Sequence, residues 1–185
     1  MPSSADVSEA LAAGAAAIVR AAQYLPHPVV IIDGRSGAGK TTIAKAVSAA
    51  LDADVLALDS VYPGWDGLSA GVELVRGGVL VPLAQGRPGA WREWDWQHHR
   101  PAREHAVPPG RALVVEGAGI LTPETRALSE VQVWVDSPGA SRKARALARD
   151  GDSYRPHWDR WARQEDAHVL RHDPRALASI VIDVP

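Results

Sequence analysis

Residues Val29 to Thr42 constrain this fold more than any other stretch of the chain. Val29-Val30-Ile31-Ile32 run into Asp33, a glycine-punctuated loop follows, and Lys40 opens a helix-forming segment. Gly34 to Thr41 fits the pattern G-x-x-x-x-G-K-[ST], in which successive backbone N–H groups face inward and cradle phosphate oxygens. Such a loop needs positive φ angles and no Cβ in the way, hence glycine. The following helix adds the partial positive charge of its N-terminus. A lysine at position 40 can reach the β- and γ-phosphates, and a threonine hydroxyl at 41 can ligate Mg²⁺. The plainer reading is a glycine turn between a strand and a helix. At average residue usage the four fixed positions coincide by chance in roughly one chain in a hundred of this length. We therefore expect Gly34, Arg35, Ser36, Gly37, Ala38, Gly39, Lys40, Thr41 and Thr42 to bind the phosphates of ATP or GTP.

Composition narrows what surrounds that loop. The 185 residues carry a formal charge of −2, which argues against nucleic acid or an anionic membrane as the main partner. There is no cysteine, so disulfides, thiolate zinc sites and cysteine catalysis are excluded and a cytoplasmic protein is expected. No apolar run approaches the ~20 residues of a membrane helix. The segment Leu11–Val19 lacks the basic flank of a signal peptide. Seven Trp stand against no Phe, a bias that asks for an explanation.

Taken in order, Asp6 or Ser8 can cap an Ala-rich helix reaching about Tyr24, an accessory element within residues 1–25. Val29–Asp33 is the first strand, and Lys40 to Leu51 the helix after the loop. Val55–Asp59 is the second strand. Leu68 to about Ala84 has helical spacing. Ala90 to Trp96 alternates with period two, as an exposed strand or ribbon does, and Pro101–Gly110 reads as a polar connector. Ala112–Glu116 and Val131–Asp136 are core strands, with a short helix from Pro123 to Leu128 between them. A helix opened by Ser137-Pro138 runs to Arg149 and breaks at Asp150-Gly151-Asp152. Trp158 to about Leu170 is helical, and Ile180–Val184 is a last strand. Short buried strands alternating with helices predict one α/β domain over residues 1–185 with a mainly parallel sheet.

In open α/β sheets the site lies beyond the C-terminal strand ends, where Asp59, Glu116 and Asp136 fall. Phosphoryl transfer needs Mg²⁺ near the γ-phosphate and a carboxylate to orient the nucleophile or take its proton. Glu116 follows four apolar residues, as a metal-assisting acid would, and Asp59 could serve the acceptor hydroxyl or the metal. Arg142, Arg145 and Arg149 recur at helical spacing on one face and could close over phosphates, or form a solvated basic face. Tyr62, Trp65, Trp91, Trp94 and Trp96, interleaved with Arg92 and His99, lie outside the core strands. They suit a planar, hydroxylated acceptor; a second small core is the plainer alternative, and single-stranded nucleic acid is disfavoured by charge.

Together these stretches resemble the uridine kinase/phosphoribulokinase-type P-loop kinases, over roughly Val29 to Pro185. Ile32 to Thr42 is close to the loop of uridine kinases. Asp59-Ser60-Val61-Tyr62 is similar to their Asp-Ser-Phe-Tyr, and Trp94-Asp95-Trp96-Gln97-His98-His99-Arg100 to their Tyr-Asp-Phe-x-x-His-x-Arg. Val115-Glu116-Gly117 is similar to their Leu-Glu-Gly, Arg145 and Arg149-Asp150 match their lid, and Gln164 falls where a base-contacting Gln is found. The resemblance implies a three-layer α/β/α P-loop NTPase fold with a five-stranded sheet of order 2-3-1-4-5. It implies a lid and following helix over residues 137–172 and Mg²⁺-dependent transfer of a γ-phosphoryl group from ATP or GTP to a hydroxyl. Asp59, Lys40, Glu116, Arg145 and Arg149 would be catalytic; Thr41, Glu116 and Asp59 would serve the metal. Tyr62, Trp65, Arg92, Trp94, Trp96, His99 and Gln164 would contact a small nucleoside-like acceptor, with neither nucleic acid nor membrane as partner and a homodimer left open. Three departures bear on the acceptor: Val61 replaces Phe, Trp94 and Trp96 replace Tyr and Phe, and Arg100 comes one position early. A sugar, antibiotic or other hydroxylated metabolite is the alternative acceptor. From another class, the chain could be a regulatory or toxin-like module with slow hydrolysis.

Overall fold

The computed structural model describes residues 3–185. Helix α1 (Ser4–Ala22) is capped by Ser3 rather than by Asp6 or Ser8: the Ser3 hydroxyl accepts from the Asp6 amide, and the Asp6 carboxylate accepts from the Ser3 amide. This reciprocal box satisfies two amides that a helix start leaves open. The chain continues through β1 (Val29–Gly34), α2 (Lys40–Leu51), β2 (Asp54–Ala57), α3 (Leu68–Val75) and α4 (Val81–Ala84). A hairpin of β3 (Gly89–Asp95) and β4 (Arg100–Val107) follows, then β5 (Leu113–Glu116), α5 (Pro123–Arg126), β6 (Val131–Asp136) and α6 (Gly139–Tyr154). The remaining elements are α7 (Trp158–His172), α8 (Pro174–Leu177) and β7 (Ile180–Asp183). Among the described residues no helix is long and apolar enough to cross a membrane.

The main sheet has the order β2-β5-β1-β6-β7, parallel throughout. Counting only its own strands along the chain, this is the expected 2-3-1-4-5. Alternation along the strands divides the core between two helical layers. Ile31, Leu56 and Val115 pack toward α3 and the aromatic residues of α6 and α7. Val30, Ile32, Val114, Val133 and Val135 pack toward α1 and α2. Both faces are covered, which is why the strands read as unbroken apolar runs.

Three boundaries differ from expectation. Strand β2 stops at Ala57, and Asp59 sits beyond it in a single 3₁₀ turn, Leu58–Ser60. The polar connector is in part a strand: Arg100–Val107 pairs with β3, with an irregularity between Arg92 and Trp94. Residues 100–104 are all exposed, so no buried face imposes a period on them, and Pro101 is tolerated at the start of an edge strand. The helix of arginines continues to Tyr154, but Gly151 (φ 58°, ψ −134°) interrupts it, a conformation only glycine adopts without strain.

Candidate active site

The loop from Gly34 to Thr41 begins where β1 ends and closes where α2 starts. At Gly37 (φ 78°) a Cβ would run into the Arg142 carbonyl, and at Gly34 (φ 150°) into that of Val135. Both glycines are therefore required by close backbone approach as well as by φ. The amides of Gly37, Gly39, Lys40 and Thr41 donate to no protein acceptor among the described residues. Four such amides at a helix start form an anion-binding concavity. Lys40, mostly buried, donates from Nζ to the Arg35 carbonyl at 3.3 Å.

Beside the loop, the Thr41 hydroxyl donates to Glu116 Oε1 at 2.9 Å. Glu116 ends β5 and is only 4% exposed. Burial pushes its carboxyl pKa up; the Lys40 ammonium, the Thr41 hydroxyl and Arg149 work against that, while Asp59 adds to it. A buried carboxylate whose charge is under-compensated, next to a hydroxyl, is a hard oxygen pair suited to Mg²⁺. Asp59 is exposed on its turn and close enough to bear on Glu116, Tyr62, Arg149 and Tyr154 electrostatically. Arg149 forms a two-point pair with Asp150 at 2.8 and 2.6 Å, which raises its pKa, with Asp59 and Glu116 adding to the effect.

Arg145 is placed elsewhere. Its Nε donates to the Gly37 carbonyl at 2.8 Å, Nη1 to the Pro185 carbonyl at 3.0 Å, and Nη2 to the Ser137 hydroxyl. Arg142 likewise donates to the carbonyls of Ser137 and Ser36. These arginines hold the outer wall of the loop, so in this conformation Arg145 braces the loop backbone from behind rather than closing over it. The reason is packing: the α6 backbone lies against Gly37, and the face with the first two arginines turns toward carbonyls that need donors.

The residues expected around an acceptor separate into three groups. Tyr62 is fully buried, donates its hydroxyl to the Ala118 carbonyl at 2.8 Å, and meets Trp161 edge-on at 4.8 Å. It is a core residue, which corrects its expected place in an acceptor pocket. Trp65 and Trp96 do gather at the Asp59 turn. Trp96 Nε1 donates to the Asp59 carbonyl at 2.9 Å, and the two rings meet at 4.9 Å. Trp65 also stacks on His157 at 4.3 Å and on Tyr154 at 5.4 Å. Trp94 presents a buried Nε1 with no partner among the described residues. The third group stays on the exposed hairpin: Arg92 pairs with Glu104 across it, and His99 lies in its turn with φ 50°. Neither is hydrogen-bonded or stacked onto the Asp59 turn or the loop. Gln164 serves backbone, donating to Trp65 O at 2.8 Å and accepting from Leu68 N at 3.3 Å. Its amide shapes the 65–68 segment in this conformation.

Four residues escaped sequence reasoning. Asp33 is fully buried and accepts from the amides of Gly34, Gly119 and Leu121 at 2.6, 2.8 and 2.8 Å, with His168 Nε2 at 3.0 Å. Glu165, on α7, accepts from the Ser36 amide at 2.7 Å. Tyr154, whose hydroxyl pKa is pushed up by burial, and His157 supply rings from the end of α6 and the turn that follows it. Only Asp33 left a signal, as an acidic residue closing an apolar strand ahead of the glycine loop.

No family model and no curated protein matches the sequence. Among solved structures the chain is similar to a possible uridine kinase from Bacillus stearothermophilus, at 19% identity and a TM-score of 0.69, over 96% of this chain and 100% of that one. It is also similar to a candidate fructose transport system kinase from Silicibacter sp. TM1040, at 22% identity and a TM-score of 0.53, over 92% of this chain and 98% of that one. At such identities the likeness is one of architecture: the chain shares the α/β fold of these two structures.

Proposed function

We propose that the protein is a Mg²⁺-dependent small-molecule kinase that transfers the γ-phosphoryl group of ATP or GTP to a hydroxyl of a nucleoside-like acceptor. The observation that carries this reading is the Thr41–Glu116 pair at 2.9 Å, next to Lys40 and four undonated amides, with the Asp59 carboxylate on the adjoining turn. A simple nucleotide sensor needs the amides and the lysine but has no use for that second carboxylate.

In this reading the amides of Gly37, Gly39, Lys40 and Thr41 bind the phosphates, and Lys40 leaves the Arg35 carbonyl for the β/γ-oxygens. Thr41 and Glu116 would hold Mg²⁺, which supplies charge neutralisation across the phosphates. Asp59 orients the acceptor hydroxyl and takes its proton as the O–P bond forms. Arg149 stabilises charge on the moving phosphoryl group. Trp65 and Trp96 offer the ring faces for the acceptor. The solved structure named as a fructose transport system kinase keeps a sugar acceptor as the second reading, since tryptophan also packs on sugar rings.

The test is ADP release from MgATP and MgGTP with and without a panel of nucleosides and sugars. Acceptor-stimulated release is expected. It should fall by about 10²-fold or more in Asp59→Asn, the range of a lost general base, while nucleotide binding survives. Slow release that no acceptor accelerates would replace the kinase reading with that of a regulatory nucleotide-binding module.

A further inference from the structure

The phosphate loop is held from outside by a residue that the proposed chemistry does not use. Glu165 is 3% exposed. Its Oε1 accepts from the Ser36 amide at 2.7 Å and its Oε2 from Arg35 Nε at 3.2 Å. Arg35 is further tied to Asp166 at 2.7 Å and to the Ala162 carbonyl at 3.4 Å. Helix α7 therefore grips the two loop residues that precede Gly37.

The consequence follows from peptide geometry. In a trans peptide the N–H and the C=O point in opposite directions. Turning the Ser36 N–H outward to Glu165 turns the Arg35 carbonyl inward, where it accepts from Lys40 Nζ at 3.3 Å and from the Ala38 amide at 3.1 Å. The next peptide follows the same rule. Arg142 Nη1 draws the Ser36 carbonyl outward at 3.2 Å, so the Gly37 N–H points inward, where it is one of the undonated amides. A flip of the Arg35–Ser36 peptide would release Lys40, bury an amide without an acceptor and close part of the concavity.

We propose that Glu165 is a positioning residue for the nucleotide: by fixing the Arg35–Ser36 peptide it presets both Lys40 and the Gly37 amide for phosphate. This rests on reading the loop as a nucleotide site. The active part is the carboxylate's role as acceptor for an amide, and the Arg35 ion pair is secondary. Glu165→Gln keeps a side-chain oxygen that can accept from Ser36, whereas Glu165→Leu keeps the volume and removes every acceptor.

Titration of the full chain with MgADP by calorimetry, which needs no knowledge of the acceptor, separates the possibilities. The expected dissociation constant stays within about threefold of the parent in Glu165→Gln and rises about tenfold or more in Glu165→Leu, the range for losing a hydrogen bond to a charged group. Amide hydrogen exchange should show Ser36 protected in the parent and in Glu165→Gln. Unchanged affinity in a folded Glu165→Leu overturns the proposal. So does a Glu165→Gln that weakens binding while Ser36 stays protected, an outcome that decides the matter even where the leucine variant does not fold. A parent chain that fails to bind MgADP overturns the nucleotide reading itself and this inference with it. Tight parent binding with an indifferent Glu165→Leu overturns the inference alone.

Discussion

Replacing Glu116 by Gln should stabilise the protein alone and weaken it as a metal-dependent nucleotide binder. Glu116 ends a central strand at 4% exposure, and burial outweighs the help of Lys40, Thr41 and Arg149, so its pKa is raised. A carboxyl with a raised pKa contributes full stability below its unfolded-state pKa and loses it as pH rises through the folded value. The Gln side chain keeps an oxygen for the Thr41 hydroxyl, which sits 2.9 Å from Oε1, and carries no charge to desolvate. The advantage of Glu116→Gln should therefore be absent in acid, appear as pH climbs above the ordinary glutamate range, and level off once pH has passed the raised folded value. Relief of a single site of this kind is worth on the order of 1 kcal/mol, about 2–4 °C in a domain of this size. Thermal melts from pH 4 to 8, without divalent cation and then with MgADP, read both effects. MgADP should raise the melting temperature of the parent far more than that of the variant. A variant less stable than the parent at pH 8 without metal would show that Lys40 already satisfies the carboxylate and would refute the reasoning. Equal MgADP shifts in the two proteins would remove Glu116 from the metal.

Tyr62→Phe should cost about 1–2 kcal/mol, because the buried Ala118 carbonyl at 2.8 Å loses its donor. Denaturant unfolding measures that loss, and acceptor KM should be unchanged; a raised KM would return Tyr62 to the pocket. Arg149→Met should lower kcat with little change in MgADP affinity, whereas Arg145→Met should lower both affinity and melting temperature, since it deprives the Gly37 and Pro185 carbonyls of donors. The reverse pattern would exchange the two roles.

How much of this was legible depended on how local the cause was. The five sheet strands were readable because both faces are buried, leaving apolar runs between helical segments, while their order came only with the family resemblance. The glycine loop was readable because its φ requirements select residue types one by one. Strand β4 was not, since Arg100 to Glu104 are exposed and no alternation marks them. Tyr62 was misplaced because its partner, Ala118, lies 56 residues away. A buried phenol beside a glycine-rich loop looks the same in sequence as one lining a pocket. The spacing of Arg142, Arg145 and Arg149 correctly put them on one helix, but only the packing of α6 on Gly37 decides that two of them face carbonyls and the third does not. Glu165 left no mark at all, because accepting one backbone amide demands nothing of its neighbours in sequence.

The carboxylate of Asp33 joins four donors from distinct parts of the chain: the first loop amide, two amides after β5, and the imidazole of His168 on α7. Any replacement strands several of them together, and even Asn can accept with only one of its two terminal atoms. Position 33 therefore has no near-neutral single-step neighbours, unlike Trp65 or Arg92, whose loss leaves no comparable set of orphaned groups. Descendants of this sequence should be free to remodel the rings gathered at the Asp59 turn, and with them whatever that surface recognises. The hub that joins the loop to the rest of the sheet should stay frozen while they do.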